Sequence, residues 1–146
     1  MANNTLPDNA LESLRELTPS VVATVEGDKP YCTFISWLVA KDNKTLRMAV
    51  STNARTTTNI RNNPNVSVEV FDKDLALSIQ GTAKIIKEEI ETITFPVAVI
   101  EINITEVNDN LFPGGTIKGK IPFVHIGDTE KAEELDRLVL EALLSD

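Results

Sequence analysis

A chain of 146 residues, 42% hydrophobic and 25% charged, is sized for a single domain (residues 1–146) that buries its own core without metals or disulfides. Its formal net charge of −8 argues against nucleic acid and against an acidic membrane surface, because both recruit clustered Lys and Arg. One cysteine excludes an internal disulfide, no apolar run reaches membrane-spanning length, and the chain starts without a basic-then-apolar leader, so the expected location is cytoplasmic.

Leu6, Ala10, Leu11, Leu14 and Leu17 recur at helical spacing, which predicts an amphipathic helix over residues 7–17 with Pro7 in its first turn and Thr18-Pro19 ending it. The period then changes to two. Val21, Ala23 and Val25 alternate with Val22, Thr24 and Glu26 and lead into a hairpin signal, Gly27-Asp28-Lys29-Pro30. Residues 31–40 (YCTFISWLVA) read as one second strand, in which Cys32 is expected to be a buried small hydrophobe and Trp37 to pack. A turn at Lys41-Asp42-Asn43-Lys44 precedes the third strand, residues 45–51. A short helix is expected over residues 55–62, stopped by Pro64.

Val66, Val68 and Val70 then alternate with Ser67 and Glu69 as a fourth strand, and Asp72-Lys73-Asp74 turns the chain. Residues 75–87 (LALSIQGTAKIIK) form a long fifth strand with a bulge or bend expected at Gly81, the device that curls a sheet. Residues 88–94 are acidic and sustain no more than one helical turn. In the sixth strand, residues 97–107, Ile100, Ile102 and Ile104 alternate with Glu101, Asn103 and Thr105. An irregular segment, residues 108–127, follows; at this length it should be functional or lie on a partner subunit. A C-terminal helix started by Asp128-Thr129 carries Leu135, Leu138, Val139 and Leu143, with Glu133 and Arg137 spaced for an ion pair. Six strands with tight turns and helices mainly at the ends predict an antiparallel barrel.

The chemistry-bearing residues are sparse. His125 and Cys32 are the only soft ligands, so no zinc set can be assembled, and His125 is expected to be a loop imidazole without special duty. No Gly-x-Ser-x-Gly elbow and no Gly-rich nucleotide fingerprint occur, and no residue is singled out as catalytic. What remains is Ser51-Thr52-Asn53-Ala54-Arg55-Thr56-Thr57, where a strand hands over to a helix. The first N–H groups of a helix lack internal partners and its dipole makes that end electropositive, so a phosphate fits there, with Arg55 as a planar charged fork.

The order of these pieces resembles the flavin-binding split β-barrel family related to pyridoxamine 5'-phosphate oxidase. The resemblance is carried by VVATVEGDKPYCTFISWLVA, by LRMAVSTNA followed by RTTTNIRNNPNVSVEV, by LSIQGTAKI, and by VAVIEINITEV before NLFPGG. It implies a mainly β fold, a six-stranded antiparallel Greek-key split barrel, forming a homodimer with FMN in two interfacial clefts. Arg55 and Thr56 would hold the phosphate with Thr57 close by. Ser51 and Thr52 would line the ribityl chain and ring edge, Ile35, Ser36 and Trp37 would face the isoalloxazine, and residues 108–119 of the second subunit would close the cleft. The implied activity is an oxidoreductase passing electrons from a reduced nicotinamide to a small-molecule acceptor. The alternatives are a non-enzymatic, stress-related flavin module and a heme or deazaflavin binder. Residues 31–40 lack the additional Arg or Lys that the family places around the phosphate, and the chain ends without an Arg-x-His element, which points away from vitamin B6 oxidation.

Overall fold

The computed structural model describes residues 3–145. In chain order its elements are α1 (Asp8–Ser13), β1 (Ser20–Glu26), β2 (Lys29–Ile35), β3 (Leu38–Asp42), β4 (Thr45–Ser51), α2 (Arg55–Asn62), β5 (Asn65–Asp72), β6 (Leu75–Lys87), β7 (Val97–Asp109) and α3 (Thr129–Leu144). Turn chemistry fixes the hairpins. Gly27 (φ 64°) and Asp74 (φ 57°) take the left-handed conformation that tight two-residue connections need. Asp128 caps α3, its carboxylate accepting from the Lys131 N–H at 3.1 Å. The N-terminal helix is shorter than its periodicity predicts, six residues instead of eleven, yet Leu14 beyond its end is still buried.

All strand pairs are antiparallel in one seven-stranded sheet of order β2-β1-β5-β6-β7-β4-β3. This corrects the expected six-stranded closed barrel: the predicted strand over residues 31–40 breaks at Ser36-Trp37 into β2 and β3, which are the two opposite edges of the sheet. Three backbone steps separate Ile35 from Leu38, no more than about 11 Å, so the sheet rolls until its edges nearly meet without joining. The β3 edge is covered by the chain leaving α1, through Thr18 N–H to Leu38 O (2.9 Å) and Ala40 N–H to Leu14 O (2.8 Å). Gly81 sits at the expected bulge, where the β6–β7 register shifts, and a Cβ there would lie 2.5 Å from Asn103 O.

Two apolar layers result. Leu38, Met48, Ile79, Ile100 and Ile102 fill the inside of the roll with Leu6 and Leu14. Val39, Ala49, Val97 and Val99 face outward beneath Val139 and Leu143 of α3, joined by Ile90 and Ile93 from the β6–β7 connection. Thus β3 is buried on both faces, and Leu38-Val39-Ala40 reads as an unbroken apolar run. The last carbonyls of α3 have no intrahelical partners, and α3 has no basic residue in its last turn. Lys41 and Arg47 supply the cations from below: Lys41 Nζ donates to Leu144 O (2.6 Å), and Arg47 to Leu143 O (3.1 Å) and Ser145 O.

The other half of the outer face has no helix over it. On it lie Val21, Ala23 and Val25 of β1 and Cys32 and Phe34 of β2, all partly or well exposed. Cys32 is therefore exposed, not buried: Ile35 turns inward, and the alternation places Cys32 and Phe34 outward on a bare edge strand. Arg137 also departs from expectation, pairing with Glu134 and Glu141 instead of Glu133. No helix among the described residues is long and apolar enough to cross a membrane.

Candidate functional site

At the junction from β4 to α2, the predicted helix boundaries are those observed, Arg55 to Asn62. Ala54 occupies the N-cap position and no side chain caps the helix, so capping does not account for the polar residues here. They are used differently. Thr57 is fully buried and its hydroxyl donates to Ser51 O at 2.7 Å, closing the turn from beneath, while Ala54 N–H reaches Ser51 O at 3.0 Å. Thr56 is buried as well. Thr52 is fastened twice, its N–H to Pro96 O (3.0 Å) and its hydroxyl to Glu88 O (2.6 Å). Asn59 Nδ2 donates to the buried Thr24 hydroxyl at 3.0 Å and pins α2 to β1. The junction that results is pinned from its inner side, and Ser51, Asn53, Arg55 and Thr58 remain toward solvent.

The Arg55 guanidinium is already engaged. Its Nε donates to Glu26 Oε1 at 2.5 Å, and its plane lies 4.3 Å from the centre of the Tyr31 ring. The hydrogen bond it donates to Glu26, reinforced by the carboxylate's charge, raises the Arg55 pKa above its ordinary value. Both partners are more than half exposed, so the pair is solvent-screened and exchangeable. Sequence reasoning missed Glu26 and Tyr31, which approach Arg55 only because the β1–β2 hairpin folds over α2.

Ile35, Ser36 and Trp37 are not gathered around Arg55. Tyr31, which Arg55 touches, lies at the hairpin end of β2, while Ser36 and Trp37 follow its other end, up to about 20 Å along the strand at ~3.3 Å per residue. Ile35 points into the core. Ser36 and Trp37 line a separate cavity of about 290 Å³ with Lys120, Phe123, His125 and Asp136. Trp37 Nε1 donates to Asp136 Oδ1 (2.8 Å), and His125 Nε2 bonds Asp136 Oδ2 (2.6 Å). The imidazole expected to be idle is thus held by a carboxylate that also orients the indole. No local spacing betrays this triad, since Trp37 and Asp136 are 99 residues apart. No cluster of His, Cys, Asp and Glu among the described residues could hold a metal ion.

Residues 6–110 match the family described as pyridoxamine 5'-phosphate oxidase. No curated protein matches the chain. Among solved structures, a Lactobacillus delbrueckii protein described provisionally as a pyridoxamine 5'-phosphate oxidase superposes with a TM-score of 0.63 at 21% identity, over 73% of this chain and 95% of its own. HupZ of Group A Streptococcus gives 0.62 at 21% identity, over 78% and 99%. An F420 reductase gives 0.54 at 20% identity, over 70% and 98%. At these identities the likeness is one of fold.

Proposed function

The chain belongs to the pyridoxamine 5'-phosphate oxidase family, and on that footing we propose that it is a homodimeric FMN-binding protein whose phosphate anchor is the β4–α2 junction. The observation that carries this reading is an uncapped helix N-terminus with a guanidinium beside it. Arg55 and the first-turn N–H groups of α2 would hold the phosphate, with Thr56 and Thr57 shaping the turn from within. Ser51 and Thr52 would border the ribityl chain, and the ring would run along β2 toward Ser36 and Trp37, with Ile35 buried behind them. Bound FMN would supply two-electron chemistry between a reduced nicotinamide and a small acceptor; the protein's part is to bind and orient.

Glu26 is the built-in competitor. Its carboxylate takes the Arg55 Nε and sets a negative charge beside the anchor, so a phosphate must meet the Nη groups against that charge or displace Glu26. The second subunit is assigned to the uncovered face of β1 and β2, where Phe34 is 46% exposed, next to a groove of about 490 Å³ lined by Val25, Pro30, Ser67, Gln80 and Thr82.

Titration of apo-protein with FMN tests the anchor. Arg55→Ala should weaken binding by about ten- to a hundredfold, the loss of one charge-assisted partner, while the melting temperature stays put. Glu26→Gln should tighten it. Unchanged affinity in both variants would discard the anchor. Bleaching of the bound flavin by NADH or NADPH under anaerobic conditions then separates an oxidoreductase from a passive binder. One structural neighbour is named an F420 reductase, which makes a deazaflavin the second ligand to titrate.

A further inference from the structure

We propose that the cavity between the β2–β3 junction, residues 120–125 and α3 is a binding site for a single-ring aromatic carboxylate, separate from the anchor at Arg55. Its volume of about 290 Å³ sets the scale. A 150 Å³ apolar cavity holds one benzene, so this space takes one substituted ring.

Two of its walls are flat aromatic rings. The Trp37 indole is held by its N–H bond to Asp136. The Phe123 ring is wedged between Phe34, 5.6 Å away, and the edge-on imidazole of His125, at 5.7 Å and 80°. Ring-on-ring contact with such walls favours a planar ligand.

The polar groups left over select its charge. Asp136 accepts from Trp37 on one oxygen and bonds His125 through the other, so both oxygens are engaged within the wall. Lys120 Nζ donates to Ser13 O (3.0 Å) and Thr18 Oγ1 (3.1 Å), and its remaining proton has only the solvent-exposed Glu16 carboxylate nearby, at 3.8 Å, a partner that a bound carboxylate can replace. The Ser36 hydroxyl and His125 Nδ1 have no hydrogen-bond partner among the described residues, and no buried side-chain N or O lacks one, so both atoms reach open space. An ammonium, a hydroxyl and, in the imidazolium form, an N–H make a donor-rich rim, and its complement is a carboxylate.

Lys120, Phe123, His125 and Asp136 all lie beyond residues 6–110, the stretch that matches the family. The segment is built into place as well, with Asp74 N–H bonded to Ile117 O (2.9 Å) and the Thr116 hydroxyl to Asp74 Oδ1 (2.9 Å).

Trp37 is the only tryptophan and reports directly on the cavity. Benzoate added to the full-length apo-protein should change its emission saturably, and ligand-observed NMR should give the same affinity. Benzamide, which keeps the ring but not the charge, and acetate, which keeps the charge but not the ring, should each bind about tenfold more weakly or less. Phe123→Ala and Lys120→Met, with melting checked, should each weaken benzoate by a similar factor, and Arg55→Ala should leave it unchanged, which separates this site from the FMN anchor. No saturable response to benzoate by either method, equal binding of benzamide, or full retention in Phe123→Ala would overturn the assignment.

Discussion

Between residues 6 and 110 the chain is stitched by seven antiparallel strands around an interior of Leu38, Met48, Ile79, Ile100 and Ile102, and its identity as a member of its family rests there. Between residues 111 and 145 there is no regular structure before α3, and besides the packing of Val139 and Leu143 the segment is held by individual tethers. These are Lys120 on Ser13 and Thr18, His125 and Trp37 on Asp136, and Lys41 and Arg47 on the carbonyls ending α3. A ladder forms and melts as a unit, whereas each tether contributes about 1 kcal/mol net and can open locally. The division matches the two proposed sites: the β4–α2 junction stands on the rigid part, and the cavity beside Trp37 lies at the seam between the parts.

The sharpest way to break the rigid part is Gly81→Val. A Cβ at Gly81 would lie 2.5 Å from Asn103 O and 2.7 Å from Ile102 Cγ2, and backbone carbonyls do not step aside. Urea unfolding should show a loss of about 3 kcal/mol or more, with β6 and β7 separating. An unmoved midpoint would mean that the bulge is not what permits the roll. A smaller effect tests whether the two regions are energetically distinct. Leu143→Ala should cost about 2–5 kcal/mol as a fully buried truncation, but only in the opening of α3. Trp37 emission should shift and α3 amides exchange faster, while β5–β7 amides keep their protection. Ile79→Ala, of the same size in the interior, should lower protection everywhere. Equal loss across the sheet in both variants would make the molecule one cooperative unit.

Features decided within a few residues were legible in the sequence. The bounds of α2, the bulge at Gly81 and the Asp128 cap follow from local chemistry, and β5 to β7 announce themselves by clean alternation. The break at Ser36-Trp37 was not legible, since no glycine or proline marks it. What divides β2 from β3 is distant: Leu14 and Thr18 on the β3 edge and Asp136 on the indole. Cys32 misled for a related reason, because alternation gives the two faces of a strand but not which one this chain covers. At the candidate site, Arg55 was legible as a cation at a helix start, but its partner Glu26 is 29 residues away, and His125 acquires its role only through α3.

The smallest expected effect sits where the two regions meet. The Ser13 hydroxyl donates to Asp72 Oδ2, and Ser13 O receives the Lys120 ammonium. The Ser13 bond, foremost, with the Lys73 N–H and the charge of Lys120 assisting, holds the Asp72 carboxyl below its usual range against a smaller opposing push from burial. A carboxylate depressed in the folded state contributes stability that is fully present above its unfolded pKa, about 3.9, and is lost as pH falls through the folded value. Ser13→Ala removes the largest cause. The variant should therefore be less stable than the parent near neutral pH, by under about 1 kcal/mol after solvent screening, and the gap should close as the medium is acidified. Glu69 supplies the opposite sign. Burial raises its pKa, partly countered by the Asn110 amide, so its contribution is present at low pH and is lost as pH rises through the folded value. Glu69→Gln should accordingly gain stability at neutral pH and converge with the parent in acid. Melting temperatures of the two variants across pH should thus move in opposite directions from the parent and meet it at the acid end; parallel curves would sever Asp72 and Glu69 from the acid response of the fold.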